Sequence, residues 1–265
     1  MKNSNCKAVY AAVISAFALM TISATLSAQD RSISSYQYRR VPDDKREEFI
    51  KRETTYWSKV AEKAVKDKTM TFWALFEKIS GYDMPNSSNF LFINTYPDID
   101  KAYAEVFNNP EAAAGVKMQD METNSMSVTT SQVFLHSENW VQKANANPEK
   151  DFNFVVMNYH NSNYQDSFVG LEKKYWQPFI KTAMDKNQTP QVAWGNAIVL
   201  APMGDNIKAT TISYDLYRTL QDALYPNWDT KVVFPAKGLA MINKLALNRR
   251  GIAVYRVVKV VSAPE

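Results

Sequence analysis

Glu53 and Glu172 stand in the same local sequence, 119 residues apart. Phe49, Glu53, Tyr56, Trp57 and Ala64 recur as Phe168, Glu172, Tyr175, Trp176 and Ala183. On a helical wheel Phe49, Tyr56, Trp57, Val60 and Ala64 make an apolar stripe with Glu53 near its centre. Phe168, Tyr175, Trp176 and Phe179 do the same around Glu172. A carboxylate aimed at a core is costly unless it is paired or protonated. Two roles fit. In one, each glutamate accepts hydrogen bonds from a Trp N–H, a Tyr hydroxyl or strand backbone. In the other, it lines a pocket between helix and sheet. There a carboxyl of raised pKa binds or deprotonates a ligand against walls of Trp and Tyr.

Trp73 and Trp194 follow in the next strand of each half, where bulk alone suits them to a core. Strand alternation places Asn196 on the same face as Trp194, which suggests a lined cavity in the second half. The candidate ligand-binding set is therefore Glu53, Tyr56, Trp57, Trp73, Glu172, Tyr175, Trp176, Trp194 and Asn196. His136 and His160 are the two histidines. Neither has a second ligand at metal spacing, and both read as surface or satisfied strand residues. The chain lacks a Gly-rich phosphate loop, a Gly-x-Ser-x-Gly elbow and a His-Glu-x-x-His pair. No metal or other cofactor is expected.

Residues 1–28 read as a signal peptide. Lys2 and Lys7 precede the uncharged apolar stretch Ala8 to Leu19, and Thr25-Leu26-Ser27-Ala28 makes a small-residue exit. The stretch is short of the roughly 20 residues that span a bilayer. Export to a periplasmic or extracellular space is expected, without stable membrane insertion. The one cysteine, Cys6, lies inside that signal, so disulfides and thiolate chemistry are excluded from the remainder. Removing the two signal lysines takes the net charge from +4 to +2, which offers no electrostatic footing for nucleic acid.

Apolar alternation and turn residues predict the order of elements. In the first half, strands are expected over 33–41, 69–79, 89–96 and 130–141, with a helix to about Lys66 after Pro42-Asp43-Asp44. Short helical stretches begin at Asp98 and Pro110. In the second half, strands fall over 152–160, 191–200, 207–214 and 252–261. A helix capped at Ser162-Asn163 runs to about Lys186, a short helix begins at Asp215, and 235–249 is helical. The turns use Gly81, Pro85, Asn86 and Ser87, then Pro202, Gly204 and Asn206. The domains are thus 29–143 and 152–265, joined by a linker at 144–151. Each half reads β-α-β-β-α-β, the ferredoxin-like order. The expected fold is α+β: two tandem ferredoxin-like repeats packed sheet on sheet as an intramolecular pseudo-dimer, a dimeric α/β barrel.

The chain resembles the dimeric α/β-barrel superfamily, which includes antibiotic-biosynthesis monooxygenases and NIPSNAP-like domains. The likeness rests on Glu53-x-x-Tyr56-Trp57 with Trp73, on Glu172-x-x-Tyr175-Trp176 with Trp194, and on His136-Ser137-Glu138-Asn139-Trp140. It is closest to exported, tandem-repeat bacterial members. The resemblance implies a fold more than an activity, because members include cofactor-free oxygenases, haem-dependent enzymes and domains with no known activity. The expected function is binding of a small apolar or aromatic molecule between helix and sheet. A cofactor-independent monooxygenase-like enzyme and a structural or interaction domain are the alternatives.

Overall fold

Strand alternation sorts the aromatic and aliphatic residues into two populations, and the inward one closes a barrel. The computed structural model describes residues 31–81, 88–203, 209–248 and 250–263. The signal-like segment 1–28, with Cys6, lies outside them. So do the turn residues Pro85, Asn86, Ser87, Gly204 and Asn206, and Arg249.

The strands are β1 (Ile33–Arg40), β2 (Phe72–Gly81), β3 (Phe90–Tyr96), β4 (Val128–Gln142), β5 (Phe154–His160), β6 (Ala193–Ala201), β7 (Thr211–Tyr217) and β8 (Gly251–Ser262). All neighbours pair antiparallel, in the closed order β1-β3-β2-β8-β5-β7-β6-β4. This corrects the expectation of two tandem ferredoxin-like sheets packed face to face. The halves join edge to edge, β2 on β8 and β4 on β6, into one eight-stranded barrel. Closure pairs the edge N–H and C=O groups that a stacked sandwich would leave open. The alternating pattern shows that one face of each strand needs cover, but stacking and curling provide it equally well.

The barrel is filled. Tyr36 and Tyr38 of β1, Leu91 and Ile93 of β3, Tyr159 of β5, Ile212 of β7 and Tyr255 of β8 meet inside it. The hydroxyl of Tyr159 lies 3.3 Å from that of Tyr38 and 3.2 Å from that of Tyr255, so these polar tips satisfy one another in the core. These side chains pack against one another along the barrel axis.

Two long helices cover that wall. Helix α1 (residues 46–66) and helix α2 (residues 165–185) each carry a five-residue π-helical turn, Glu53–Trp57 and Glu172–Trp176. A π turn inserts one residue into the α-helical rotation and is frequent at functional sites. It explains why Ser58, five residues after Glu53, is buried while Tyr56 and Trp57 are only half-buried. A third helix, α3 (Ala236–Leu245), packs across α2, with Gly238 against Tyr175.

The short helix expected from Asp215 begins later, at Leu220. Asp215 is instead an outward-facing residue within β7: Ile212, Tyr214 and Leu216 alternate inward, and the strand runs on to Tyr217, which packs on the outer face with Val156 and Ala223.

Candidate functional site

On the outward face of the second half's strands, β5 offers Asn158 and His160, β6 offers Trp194 and Asn196, and β7 offers Ser213 and Asp215. Strand period two makes all six face α2 and α3 rather than the barrel interior. Between these strands and the helices lies a cavity of about 620 Å³. All of these strand residues but Asn196 line it, together with Glu172 and Trp176 of α2, Leu239 and Ile242 of α3, and Arg250.

The first half shows why the cavity forms here. In the register of β2 on β3, Leu75 faces Phe92; in that of β6 on β7, Asn196 faces Ser213. Likewise Gln37 pairs Phe92 where Asn158 pairs Ser213. Leu75 and Phe92 fill the space under α1 with Phe49, Phe90 and Trp73. The smaller polar Asn196 and Ser213 leave that space open under α2.

Glu172 is the most perturbed group that faces the cavity from a helix. It is buried, and its Oε2 accepts a hydrogen bond from Asn196 Nδ2 at 2.7 Å. Burial pushes its pKa up to about 7; the Asn196 bond opposes the rise, while the charge of Asp215 adds to it. Asp215, half-buried, accepts from Asn158 Nδ2 at 2.9 Å and from Gln191 Nε2 at 2.8 Å, and desolvation raises its pKa as well. His160 Nε2 lies 3.2 Å from Ser213 Oγ, and its ring packs on Phe168. Burial, with help from Arg250, lowers the His160 pKa to about 4, so the imidazole is neutral at pH 7. Arg250 is the cation among the lining residues and is exposed. A carboxyl that titrates near neutrality, beside a second carboxyl and two indoles, is equipped for proton transfer to or from a bound molecule.

The sequence-derived set is divided between two places. Glu172, Trp176 and Trp194 line the cavity, and Asn196 holds Glu172 from the sheet. Tyr175 lies behind them, where α3 crosses α2. Glu53 is buried under α1 and accepts from Thr123 Oγ1 at 2.7 Å; burial lifts its pKa to about 7 against the pull of Thr123 and Arg39. Trp57 donates from Nε1 to the Met121 carbonyl at 2.8 Å, and Tyr56 packs beside it. Trp73 is core, 6.2 Å from Phe92. Among the described residues the hydrogen-bond partner of the glutamate is a threonine in one half and an asparagine in the other, where a Trp, a Tyr or strand backbone was expected. Asn158, Ser213, Asp215 and Arg250 were not picked out as site residues, and His160 was read only as a surface or satisfied strand residue. Continuing the β7 alternation past Tyr214 finds Ser213 and Asp215 on one face. His136 lies elsewhere, its Nδ1 2.9 Å from the Ser32 carbonyl oxygen. Among the described residues no three His, Cys, Asp or Glu side chains gather as a metal site.

No family model matches the chain, and no curated protein matches it. Solved structures do. A candidate monooxygenase of Lactobacillus acidophilus aligns with TM-score 0.57 and 10% identity over 87% of this chain and 96% of its own. A candidate monooxygenase of Fusobacterium nucleatum aligns at 0.54 and 10%, over 87% of this chain and 94% of that one. An anthrone oxidase-like protein aligns at 0.53 and 15%, over 90% and 95%. At such identities the likeness is one of fold: the chain shares its helix-clad barrel with these monooxygenase-type proteins.

Proposed function

We propose that the cavity under α2 binds a flat aromatic molecule with an acidic C–H or phenolic O–H, and that Glu172 removes that proton for oxygenation by O2. The observation that carries this reading is the buried Glu172 carboxyl, poised at about 7, in a cavity walled by Trp176 and Trp194. A base matched to neutral pH transfers protons most effectively. The names of the similar structures, monooxygenases and an anthrone oxidase-like protein, support the same class of chemistry.

The reaction balances with O2 as the co-substrate. Glu172 takes the proton from an activated methylene, and the substrate carbanion transfers its electron pair to O2, forming a C–O bond. The protonated Glu172 returns its proton to the peroxide. Loss of water then leaves a carbonyl, so one CH2 and one O2 become C=O and H2O. Asp215 is held in place by two amide donors, while His160 remains neutral.

Anthrone is the probe. Oxygen uptake and quinone absorbance are expected with the wild-type chain, and Glu172→Gln should lower the rate by roughly 100-fold or more with the melting temperature nearly intact. Equal rates in the two proteins would overturn the base assignment. Saturable binding of anthrone without oxygen uptake would leave a binding pocket and no oxygenase. Residues 1–28 support export, and N-terminal sequencing of the protein from its host tests that. Among the described residues no helix is long and apolar enough to cross a membrane.

A further inference from the structure

Glu172 is the end of a buried chain of amides that begins in the other half of the barrel. Asn139 Nδ2 donates to Asn196 Oδ1 at 2.9 Å, and Asn196 Nδ2 donates to Glu172 Oε2 at 2.7 Å. Asn196 is wholly buried and Asn139 nearly so. Asn139 belongs to β4, at a point where its pairing with β6 slips between Ser137 and Asn139. Such a bulge re-aims a side chain.

An asparagine shows a neighbour either its N–H or its C=O, and its partners decide which. With Asn139 donating to Oδ1, the N–H of Asn196 points at Glu172 and favours the carboxylate. Turned over, Asn196 would offer Oδ1, which only a protonated carboxyl can satisfy. We propose that Asn139 is a positioning residue: its amide holds Asn196 in the orientation that donates to Glu172, and so keeps the ionised, proton-accepting form available. This rests on the reading of Glu172 as the base. The other charged groups around Glu172 are Asp215 from β7 and Arg250 before β8, with neutral His160 from β5. Helix α3 contributes Leu239, Ile242 and Asn243, which carry no charge. None of these groups touches Asn139 in the amide chain, so changes at Asn139 reach Glu172 through Asn196.

The test is a carboxyl 13C NMR titration of the full chain. Asn139→Ala should raise the Glu172 pKa by roughly half to one unit, the worth of one interior hydrogen bond. The same change should have no effect in an Asn196→Ala background. Glu53, bonded to Thr123 in the other half, is the internal reference and should stay in place. The near-isosteric Asn139→Asp, which accepts but does not donate when ionised, should turn Asn196 over and raise the value further. It serves also if the alanine variant folds poorly. An unmoved Glu172 in both variants, or an equal shift without Asn196, overturns the proposal. Anthrone turnover is followed in parallel. Turnover lost in Glu172→Gln with an unmoved titration in Asn139→Ala sinks the relay alone. A moved titration with no turnover in the wild-type chain sinks the oxygenation reading alone.

Discussion

Leu75 and Asn196 hold the same place on equivalent strands, two residues after Trp73 and Trp194, and they decide which buried glutamate meets a polar sheet. Leu75 seals the wall under α1, whereas Asn196 bonds Glu172, which lines the cavity. Asn196→Leu should therefore turn the second half toward the first. The bond that favours the carboxylate disappears, so the Glu172 pKa moves up from about 7. Anthrone binding should weaken at least about tenfold, the effect of losing roughly 1.4 kcal/mol. Isothermal titration and NMR titration measure both. Unchanged affinity and titration would show that Asn196 is only packing.

A raised carboxyl pKa also makes stability fall as pH rises. Glu53 and Glu172 each titrate near 7 when folded, against an ordinary value of 4.5. The folded state thus keeps protons that the unfolded chain releases between those values. The stabilising contribution is complete below 4.5 and lost as pH climbs through 7, at roughly 3 kcal/mol per carboxyl. Asp215 acts in the same direction. His160 opposes them: depressed to about 4, it contributes stability above 6.5 that is lost as pH falls through 4. The acids outnumber it, so urea unfolding should show a net loss of stability from pH 5 to pH 8. Glu53→Gln keeps an oxygen for Thr123 Oγ1 but carries no charge. It should match the wild-type chain at pH 5 and exceed it at pH 8. A variant weaker at pH 8 would mean that the Glu53 charge is stabilised by a partner beyond Thr123 and Arg39.

Periodicity located these carboxyls because a buried charge at the centre of an apolar stripe is an expensive exception. The same periodicity did not reveal the π turns, since a wheel drawn at constant rotation assigns Tyr56 and Trp57 to the buried face and Ser58 away from it. Nor did it choose between stacked sheets and a barrel. That choice lies in the edge pairings β2 with β8 and β4 with β6, between residues more than 50 apart in the chain. Asp215 was lost for a local reason: an acidic residue after Tyr214 reads as a helix start, and two amide donors from β5 and the residues before β6 are what allow it inside a strand. Glu172, Trp176, Trp194 and Asn196 were found by residue type and spacing. Their polar neighbours on β5 and β7 were not, because each is unremarkable until the register places it beside the others.

Helix α3 closes one wall of the cavity by resting on Tyr175 at Gly238. A Cβ built there would lie 2.4 Å from Tyr175 Cβ, too close to be relieved by rotating a side-chain tip. Alanine is the better helix former by about 1 kcal/mol, yet Gly238→Ala must push α3 off α2. We expect a net loss of roughly 1–3 kcal/mol, together with weaker anthrone binding as Leu239 and Ile242 withdraw. Chemical denaturation and titration test the two effects. A more stable protein with unaltered affinity would mean that α3 adjusts without moving the cavity wall.

The seam between β2 and β8 has its own charged clamp. Glu77 of β2 is nearly inaccessible, and its two carboxylate oxygens bond Arg46 of α1 and Arg256 of β8. One acidic side chain thus ties a helix and a strand of the first half to the last strand of the barrel. The arginines are 38% and 52% exposed, so water and salt screen them and they tolerate a missing partner better than buried cations do. Glu77 does not share that exposure: with both arginines removed it would remain as an unpaired buried charge. Glu77→Gln should cost roughly 1–2 kcal/mol, since its amide still accepts one hydrogen bond. Removing both arginines should cost more, roughly 3 kcal/mol. The double-arginine loss should shrink when Glu77 is already glutamine, because the stranded charge is then gone. Urea melts of the four proteins give that coupling, and strictly additive losses would show that the clamp is not a unit.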